Sequence, residues 1–418
     1  MTKPELLVGL LEEVLGYPPK KATELVYREG YFTWIARRLE SWKGEELRRR
    51  AEELGIEGLL FFDTWTRAYP EGRYTLEILG VVGVDGAGLE GLEYAFDRDL
   101  KGKSRALRLL RGGDGAIYRV EAVDEGKPGR DLYLTLDAEI QRICAEVLEK
   151  GTRIFRANRG FVIVMRPTTG EILALAQYPR FDPRDPDPAL LHPWAVTDPF
   201  EPGSTFKALV GAAALDRGVV SPGEVFSAVS PFYVDGVPIR NANNVSLPEV
   251  TFARAITSSL NTVFLQVALR LGKETTWEYL VRFGIGEPTG IELPGESPGI
   301  LRPPEEWTRV DLATISFGQG VSVNGVQLAR AFCAIATDGL LPKAHLIAGH
   351  GGPRRTVISP KAAYTMRELL RLAVEFKYGG TGRWADVEGF GVAGKSGTAQ
   401  KLDPRGGYSK TRFMGAMA

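Results

Sequence analysis

A lysine at the head of an apolar run constrains this chain more than any other single feature. The run Ala208-Leu209-Val210-Gly211-Ala212-Ala213-Ala214-Leu215 predicts a buried helix, and Lys207 directly precedes it. Ser204 follows the helix-breaking pair Pro202-Gly203, which makes it the predicted N-cap or first-turn residue. Because residues three apart lie on one helix face, the side chains of Ser204 and Lys207 are predicted to meet.

This pair has the chemistry of an activated nucleophile. Burial lowers the pKa of a lysine, so Lys207 could act as a general base toward the Ser204 hydroxyl. Backbone N–H groups at the start of the helix could stabilise negative charge nearby. Ser-x-x-Lys is a short pattern, however, and a capped core helix stays the default unless other segments carry matching chemistry.

Length and composition favour a folded protein of two domains. The chain has 418 residues, with 52 basic and 52 acidic side chains, so its net charge of zero gives no sign of nucleic-acid binding. Cys144 and Cys333 sit in apolar runs and are predicted to be buried thiols rather than a disulfide. No run of about 18 uncharged apolar residues and no signal-peptide pattern occurs, so the chain as written is expected to be soluble.

Periodicity separates a smaller N-terminal part from a larger C-terminal one. Helices are predicted within about the first 60 residues, and residues 59–82 are predicted to be strand-like or mixed. The three helical stretches contain Leu6 to Leu15, Trp34 to Leu39, and Lys43 to Glu53 with an end at Gly55. Residues 124–129 are the best linker, which predicts a mixed domain over 1–128 and a second domain over 129–418.

The second domain is predicted to be α+β. A strand over 132–136 precedes a helix capped by Asp137, and two apolar runs around Pro167-Thr168-Thr169-Gly170 form a hairpin. Helices dominate from 204 to about 284, after 320 and over 360–376, and strands return at the C-terminal end. A sheet built from both ends of the domain, with a helical insert between, follows from this order.

Two further segments carry polar side chains suited to a cleft. Ser259-Leu260-Asn261 lies between two helical runs, where the hydroxyl could relay a proton and the amide could hold a substrate carbonyl. Ser322-Val323-Asn324 has the same spacing, but it opens a helix and is predicted to be an N-cap. Either pair alone is more typical of loop capping.

Lys395-Ser396-Gly397-Thr398 is the third segment. On a strand, Lys395 and Gly397 face one side, and Ser396 and Thr398 face the other. A lysine there could bind a carboxylate, the missing side chain of Gly397 could admit a substrate backbone, and the N–H of Thr398 could join that of Ser204 in an oxyanion hole. The plain alternative is a strand-edge lysine that discourages aggregation.

Together the three segments resemble the signature of penicillin-binding proteins and related β-lactamases: Ser-x-x-Lys, Ser-x-Asn and Lys-Ser/Thr-Gly, in that order. The sequence is similar to class B penicillin-binding proteins, and most to the division-type peptidoglycan D,D-transpeptidases. The likeness extends over nearly the whole chain. It includes the segments 67–70, 88–93, 97–102, 178–183, 316–320 and 380–382.

The resemblance implies a transpeptidase domain of the penicillin-binding/serine β-lactamase-like fold behind a smaller mixed pedestal domain of the dimerisation type. In that fold, a central antiparallel sheet has helices on both faces and a helical insert. Ser204 would attack the penultimate D-alanine carbonyl of a peptidoglycan stem peptide, and Lys207 would deprotonate it. Ser259 and Asn261 would pass protons and orient substrate. Lys395, Ser396, Gly397 and Thr398 would engage the substrate carboxylate and acyl oxygen.

The resemblance also implies β-lactams as acylating inhibitors, with no metal or cofactor. His192, His345 and His350 are scattered along the chain, which disfavours a Ser-His-Asp triad. The implied partners are a glycosyltransferase and proteins of the divisome or elongasome, in cell division or in the elongation that sets cell shape. The implied location is the extracytoplasmic face of the bacterial inner membrane. Relative to the family pattern, we expect an upstream membrane anchor and the start of the pedestal to be absent, as well as a last strand and helix.

Two other functions stay open at this point. One is a D,D-carboxypeptidase or β-lactamase with the same acyl-serine chemistry. The other is a non-catalytic β-lactam-binding scaffold or sensor that keeps the fold.

Overall fold

A computed structural model describes residues 3–30, 32–62, 64, 66–104, 106–113, 117–182, 187–403 and 406–418. Pro183, the last residue of the 178–183 segment, lies outside this described part. The chain divides into two compact units, one formed by 1–70 with 82–87 and the other by 71–81 with 88–418. This division does not coincide with the domain boundary predicted at residue 128, which stays a prediction.

Three amphipathic helices form the first unit around a small apolar core. They are α1 (Pro4–Leu15), α2 (Pro19–Val26) and α3 (Ser41–Leu54). The core consists of Leu7, Leu10, Leu11, Ala22, Leu47, Ala51 and Ile56. Gly55 ends α3 with a φ of 61°, a left-handed conformation that glycine adopts without strain, as the sequence predicts.

The predicted helix around Trp34 and Leu39 is wrong, because residues 32–40 are irregular. Aromatic packing holds this segment instead: the ring of Trp34 meets Phe32 edge-on at 5.1 Å and Phe62 at 6.4 Å. The contact with Phe62 joins residues 28 positions apart, which local helical spacing cannot anticipate.

The second unit mixes helices and strands, and the predicted α+β class is confirmed. Its helices are α4 (Gly72–Leu79), α5 (Gly91–Ala95), α6 (Asp97–Lys101), α7 (Ala138–Ile154), α8 (Trp194–Thr197), α9 (Phe206–Asp216), α10 (Phe252–Thr257), α11 (Asn261–Leu271), α12 (Lys273–Arg282), α13 (Arg309–Ile315), α14 (Gly325–Ala336) and α15 (Pro360–Val374). Its strands are β1 (Ala106–Arg111), β2 (Ile117–Asp124), β3 (Gly160–Met165), β4 (Ile172–Tyr178), β5 (Val225–Ala228), β6 (Phe232–Val234), β7 (Val237–Ile239), β8 (Leu247–Thr251), β9 (Leu340–Leu341), β10 (Arg355–Thr356), β11 (Ser396–Leu402) and β12 (Tyr408–Met417).

In the described residues these strands pair two by two, all antiparallel. The ladders are β1 with β2, β3 with β4, β5 with β8, β6 with β7, β9 with β10, and β11 with β12. The β3–β4 hairpin and the C-terminal β11–β12 pair come from opposite ends of the predicted domain, with the helical segment between them. The small strands β5 to β8 interrupt that helical segment and were not predicted.

Two strand predictions are wrong in detail. Residues 59–82 are predicted to be strand-like or mixed, but residues 72–79 form α4, which buries Leu76 and Ile78. The run 132–136 is predicted to be a strand, but among the described residues it makes only one bridge, between Leu134 and Ile347. Asp137 caps α7 as predicted, because its carboxylate accepts hydrogen bonds from the N–H groups of residues 139 and 140.

The main core surrounds α9. Residues Phe206 to Ala214 of this helix are all buried, as predicted, and α9 packs against α11, α12 and α15. This core buries Phe252, Phe264 and Phe283 completely. A helix covered on every side holds the residues at its N-terminal end in place, and Lys207 is one of them.

Candidate active site

Ser204 lies in a single 3-10 turn, Gly203–Thr205, directly before α9. The sequence predicted an N-cap or first-turn position. The structure places the hydroxyl of Ser204 3.0 Å from Nζ of Lys207, and no cap hydrogen bond uses it. Gly203 has a φ of 56°, so the chain enters this turn through a conformation that glycine tolerates best.

The fully buried amine of Lys207 contacts four oxygens. Besides Ser204, its Nζ lies 2.7 Å from the carbonyl oxygen of Ser259, 3.2 Å from the Ser259 hydroxyl and 2.6 Å from Oδ1 of Asn261. The carbonyl and amide oxygens can only accept hydrogen bonds. A neutral amine would donate its two N–H groups to them and keep its lone pair for a hydroxyl.

The electrostatics favour this neutral form. Burial, and then the positive charge of Lys395, hold the pKa of Lys207 well below that of a free lysine. The rings of Phe264 and Phe317 lie 5.7 and 6.0 Å from the amine. A lowered pKa and contact with the Ser204 hydroxyl are properties that a general base needs, and this role of Lys207 stays a prediction.

The end of α10 positions Ser259. The N–H of Ser259 bonds to the carbonyl of Ile256, and the N–H of Leu260 bonds to that of Ala255, which is a Schellman arrangement. Ser259 occupies the left-handed position of this motif with a φ of 57°, where glycine is usual. This turn directs both oxygens of one residue toward Lys207.

The amide of Asn261, the first residue of α11, is fixed at both ends. Oδ1 accepts from Lys207, and Nδ2 donates to the carbonyl oxygen of Arg240 at 2.9 Å. The second N–H of this amide is the group available to a ligand carbonyl.

Lys395 reaches the same cluster from the C-terminal hairpin. Its buried Nζ donates to the Ser259 hydroxyl at 2.9 Å and to the carbonyl of Ser396 at 2.8 Å. Burial lowers the pKa of Lys395 to about 8. The charge of a cationic Lys395 in turn favours the neutral form of Lys207.

Glycines allow the strand β11 to approach the turn of Ser204 backbone to backbone. A Cβ on Gly397 would come within 2.8 Å of the carbonyl oxygen of Pro202, and one on Gly203 within 3.1 Å of the Thr398 carbonyl. The space beside Gly397 is thus taken by the protein's own turn, and the part of Gly397 in substrate binding stays a prediction. Thr398 is exposed next to this contact.

The other residues considered in the sequence make hydrogen bonds outside the cluster around Lys207. The hydroxyl of Ser396 donates to the hydroxyl of Thr381 at 2.9 Å. Asn324 caps α14 in a capping box with Gln327, which confirms that the second Ser-x-Asn pattern is structural. His345 and His350 hydrogen-bond to Lys343 and Glu292 instead of any residue of the cluster.

Sequence reasoning missed several neighbours of the cluster. Phe264, Thr381, Glu201 and Tyr408 were not assigned a role, although Glu201 stands only three residues before Ser204. No local pattern links Tyr408 to Glu201, since 206 residues separate them in the sequence and only the fold brings them together. In the described residues no group of three or more His, Cys, Asp or Glu side chains is arranged to hold a metal.

The family model for the penicillin-binding protein transpeptidase domain matches residues 160–418. This range contains the whole cluster. The chain belongs to the penicillin-binding protein transpeptidase family. The predicted resemblance to its class B members is confirmed by the names of its relatives and structural neighbours.

Curated relatives align over most of the chain. It is 34% identical to penicillin-binding protein PbpB of Mycolicibacterium smegmatis, over 81% of this chain and 55% of that protein. It is also 34% identical to the probable peptidoglycan D,D-transpeptidase PenA of Neisseria meningitidis (94% and 67%) and 28% identical to the peptidoglycan D,D-transpeptidase FtsI of Escherichia coli (91% and 64%). The chain thus spans between 55% and 67% of the length of these relatives.

Solved structures of penicillin-binding proteins support the same family assignment. Penicillin-binding protein 3 from Mycobacterium tuberculosis, solved in complex with aztreonam, superposes with a TM-score of 0.75 at 31% identity, covering 84% of this chain and 80% of that one. Penicillin-binding protein 2X from Streptococcus thermophilus, at 24% identity, shares the fold over the whole chain with a TM-score of 0.80 and 67% of its own length covered. Among the described helices, none has the length and apolar character needed to span a bilayer.

Proposed function

We propose that this chain is the catalytic part of a peptidoglycan D,D-transpeptidase. The observation that carries this proposal is the amine of Lys207, which two pure acceptors orient so that its lone pair is left for a hydroxyl. The nearest hydroxyl, 3.0 Å away, belongs to Ser204. The names of the relatives, which are peptidoglycan D,D-transpeptidases, support the substrate class.

In the acylation step, Oγ of Ser204 forms a bond to the penultimate D-alanine carbonyl carbon of a stem peptide. Its proton moves to Lys207, and the carbonyl electrons move to the oxygen, where the N–H groups of Ser204 and Thr398 are the proposed donors. The C–N bond then breaks. The leaving D-alanine takes a proton through the Ser259 hydroxyl, which lies between Nζ of Lys207 and Nζ of Lys395.

In the second step an amino group from a neighbouring stem peptide attacks the acyl-enzyme. It forms the cross-link and releases Ser204, which regains its proton. Asn261 would hold the acyl-side amide, and Lys395, Ser396 and Thr398 would receive the substrate carboxylate. β-Lactams would enter the first step in place of the stem peptide and remain attached to Ser204.

The cellular setting is proposed from the relatives. Cell-wall synthesis of this kind takes place on the extracytoplasmic face of the membrane. We expect a glycosyltransferase to supply glycan, together with divisome or elongasome proteins. Cross-linked dimers formed from stem peptides in the presence of such a glycosyltransferase would test this setting directly.

Labelling with a fluorescent penicillin tests the chemistry. We expect one labelled band, with the adduct on Ser204 in a peptide digest, and no band for S204A. N261A should acylate at least about 100-fold more slowly, because the amide orients both base and ligand. The matched control is N324A, which removes an asparagine with the same Ser-x-Asn spacing and should acylate at the wild-type rate.

Three outcomes separate the alternatives. An unlabelled wild-type protein would reject acyl-serine chemistry and leave a scaffold. Release of the label within minutes would favour a β-lactamase-like hydrolase. A stable adduct with release of D-alanine but no cross-linked product would favour a carboxypeptidase.

A further inference from the structure

The side chain of Glu201 joins the turn of Ser204 to two other segments. Its Oε1 accepts a hydrogen bond from the N–H of Gly320 at 2.8 Å and another from the hydroxyl of Tyr408 at 2.9 Å. Gly320 follows α13, and Tyr408 is the first residue of β12. One carboxylate oxygen therefore connects three parts of the chain immediately before the proposed nucleophile.

Other contacts around this turn come from the backbone. The N–H of Gly203 donates to the carbonyl of Gly318 at 3.1 Å, and a Cβ on Gly318 would lie 2.2 Å from the carbonyl oxygen of Gly203. The turn thus lies between the 318–320 loop on one side and β11 on the other. β12 pairs with β11, with Tyr408 opposite Leu402. Glu201 is the side chain that spans from this loop to this hairpin.

Two observations indicate that the Glu201 carboxylate is held in position between the 318–320 loop and the C-terminal hairpin. Oε2 of Glu201 is buried and, among the described residues, has no hydrogen-bond partner. A buried oxygen without a donor is unfavourable, so Oε2 does not draw the carboxylate into this position. The two hydrogen bonds at Oε1 hold it there. Burial, and then the charge of Glu201, raise the pKa of the Tyr408 phenol, which keeps this donor protonated.

We propose that Glu201 is a positioning residue for acylation, and this inference rests on the proposed function. Glu201 bonds to both the 318–320 loop and the C-terminal hairpin, just before the turn that contains Ser204. Through these bonds it sets the separation between the N–H groups of residues 204 and 398. None of the contacts of Lys207 involves Glu201. Its removal is therefore expected to displace the nucleophile without removing burial or the charge of Lys395, the two causes that lower the pKa of Lys207.

The test measures the second-order rate of acylation by a fluorescent penicillin, per active site, with active sites counted from the labelling reached at completion. E201A is expected to lower this rate about 100-fold, which is the order of effect of a displacement of about 1 Å at a reacting group. E201Q keeps one acceptor oxygen and Y408F removes one donor, so each should lower the rate about 3- to 10-fold. The pH midpoint of the rising limb of the rate profile should not move in any of the three.

Glu292 provides the matched control. Its carboxylate also accepts from one backbone N–H, that of Leu346 at 2.8 Å, and contacts one side-chain donor, Nδ1 of His350 at 3.1 Å. E292A should lower the melting temperature and leave the rate per active site unchanged. Because Glu201 and Tyr408 act through one bond, E201A/Y408F should be no slower than E201A alone.

The results that overturn the inference are distinct from those that overturn the function. If penicillin does not label the wild-type protein, both the proposed function and the positioning role are rejected. If the wild type is labelled but E201A acylates within about twofold of the wild-type rate, or at the rate of E292A, only the positioning role is rejected. A shifted pH midpoint in E201A would also reject it, since Glu201 would then act on Lys207.

Discussion

Two residues of the active site are held in states that their own chemistry disfavours. Lys207 is a fully buried lysine whose pKa is depressed by burial and by Lys395. Ser259 is a non-glycine residue with a φ of 57°. Both states are unfavourable by themselves and persist because the surrounding structure over-determines them. The state of each residue gives a testable prediction.

The paired lysines predict a bell-shaped pH profile for acylation. The base is active when neutral, so the rate rises with pH through the depressed pKa of Lys207. Lys395 is needed as a cation, so the rate falls as pH passes its pKa of about 8. The measurement is the second-order rate of penicillin acylation from pH 5 to 10.

K395R serves as the control for the falling limb. A guanidinium does not lose its proton in this range, so the limb near pH 8 should disappear even if the plateau is lower. A wild-type rate that still increases at pH 10 would contradict the assignment.

Replacing Ser259 should separate its hydroxyl from its backbone. S259G and S259A both lose the relay and should acylate at least about 100-fold more slowly than the wild type. Only glycine is relaxed in the left-handed position, so S259G should be about 1 kcal/mol more stable than S259A. Urea denaturation of the two variants measures this difference, and equal stabilities would contradict a strained backbone at residue 259.

Local spacing made part of this site predictable. Ser204 and Lys207 are three residues apart on a helix start, and Ser259 and Asn261 share one short turn, so sequence alone placed each pair together. The contact of Lys395 with Ser259 spans 136 residues and came only from the family resemblance. The contact of Glu201 with Tyr408 came from neither.

At the scale of elements, α4 is joined to the loop after β4 by a buried acid. Oε1 of Glu77 accepts from the N–H of Phe181 at 2.9 Å, and only 3% of Glu77 is exposed. Burial raises the pKa of Glu77 from its ordinary 4.5 to about 7. Residues 59–82 are predicted only to be strand-like or mixed, because the burial of an acid on this helix depends on a partner 104 residues away.

Glu77 should make stability fall as pH rises from about 4.5 to about 7. In this interval the unfolded chain has released the proton and the folded chain still binds it, so each pH unit favours unfolding by about 1.4 kcal/mol. Compared with E77Q, the wild-type protein should lose about 3 kcal/mol of unfolding free energy between pH 4.5 and 7. Denaturant titrations of the two proteins at several pH values measure this loss.

E305Q, which changes an exposed glutamate, should follow the wild-type pH dependence. A constant difference between the wild type and E77Q from pH 4.5 to 8 would show that Glu77 ionises as it does in water.

At the scale of the whole molecule, the residues of the candidate site all belong to one of the two compact units. Every contact described around Ser204 and Lys207 comes from residues between 201 and 408, within the unit formed by 71–81 and 88–418. The unit formed by 1–70 and 82–87 has its own apolar core. Composition and periodicity predicted two domains, but the location of the division depends on long-range packing that they do not contain.

A chain that starts at Glu71 should therefore keep its acylation chemistry. We expect the same rate per active site and the same pH profile as for the full chain, because the hydrogen bonds described for the cluster join residues between 201 and 408. Penicillin labelling of both proteins under one set of conditions makes the comparison. A shortened chain that folds, by circular dichroism, but acylates much more slowly would show that the first unit acts on the site.

The three glycines around the turn of Ser204 also limit how the protein can change under drug pressure. Gly203, Gly318 and Gly397 each face main-chain atoms of another segment, so any larger residue there would meet atoms that cannot rotate aside. A single substitution at these positions would displace the nucleophile from inhibitor and natural substrate alike. Tolerance to β-lactams is therefore not expected to arise by substitution of these three glycines.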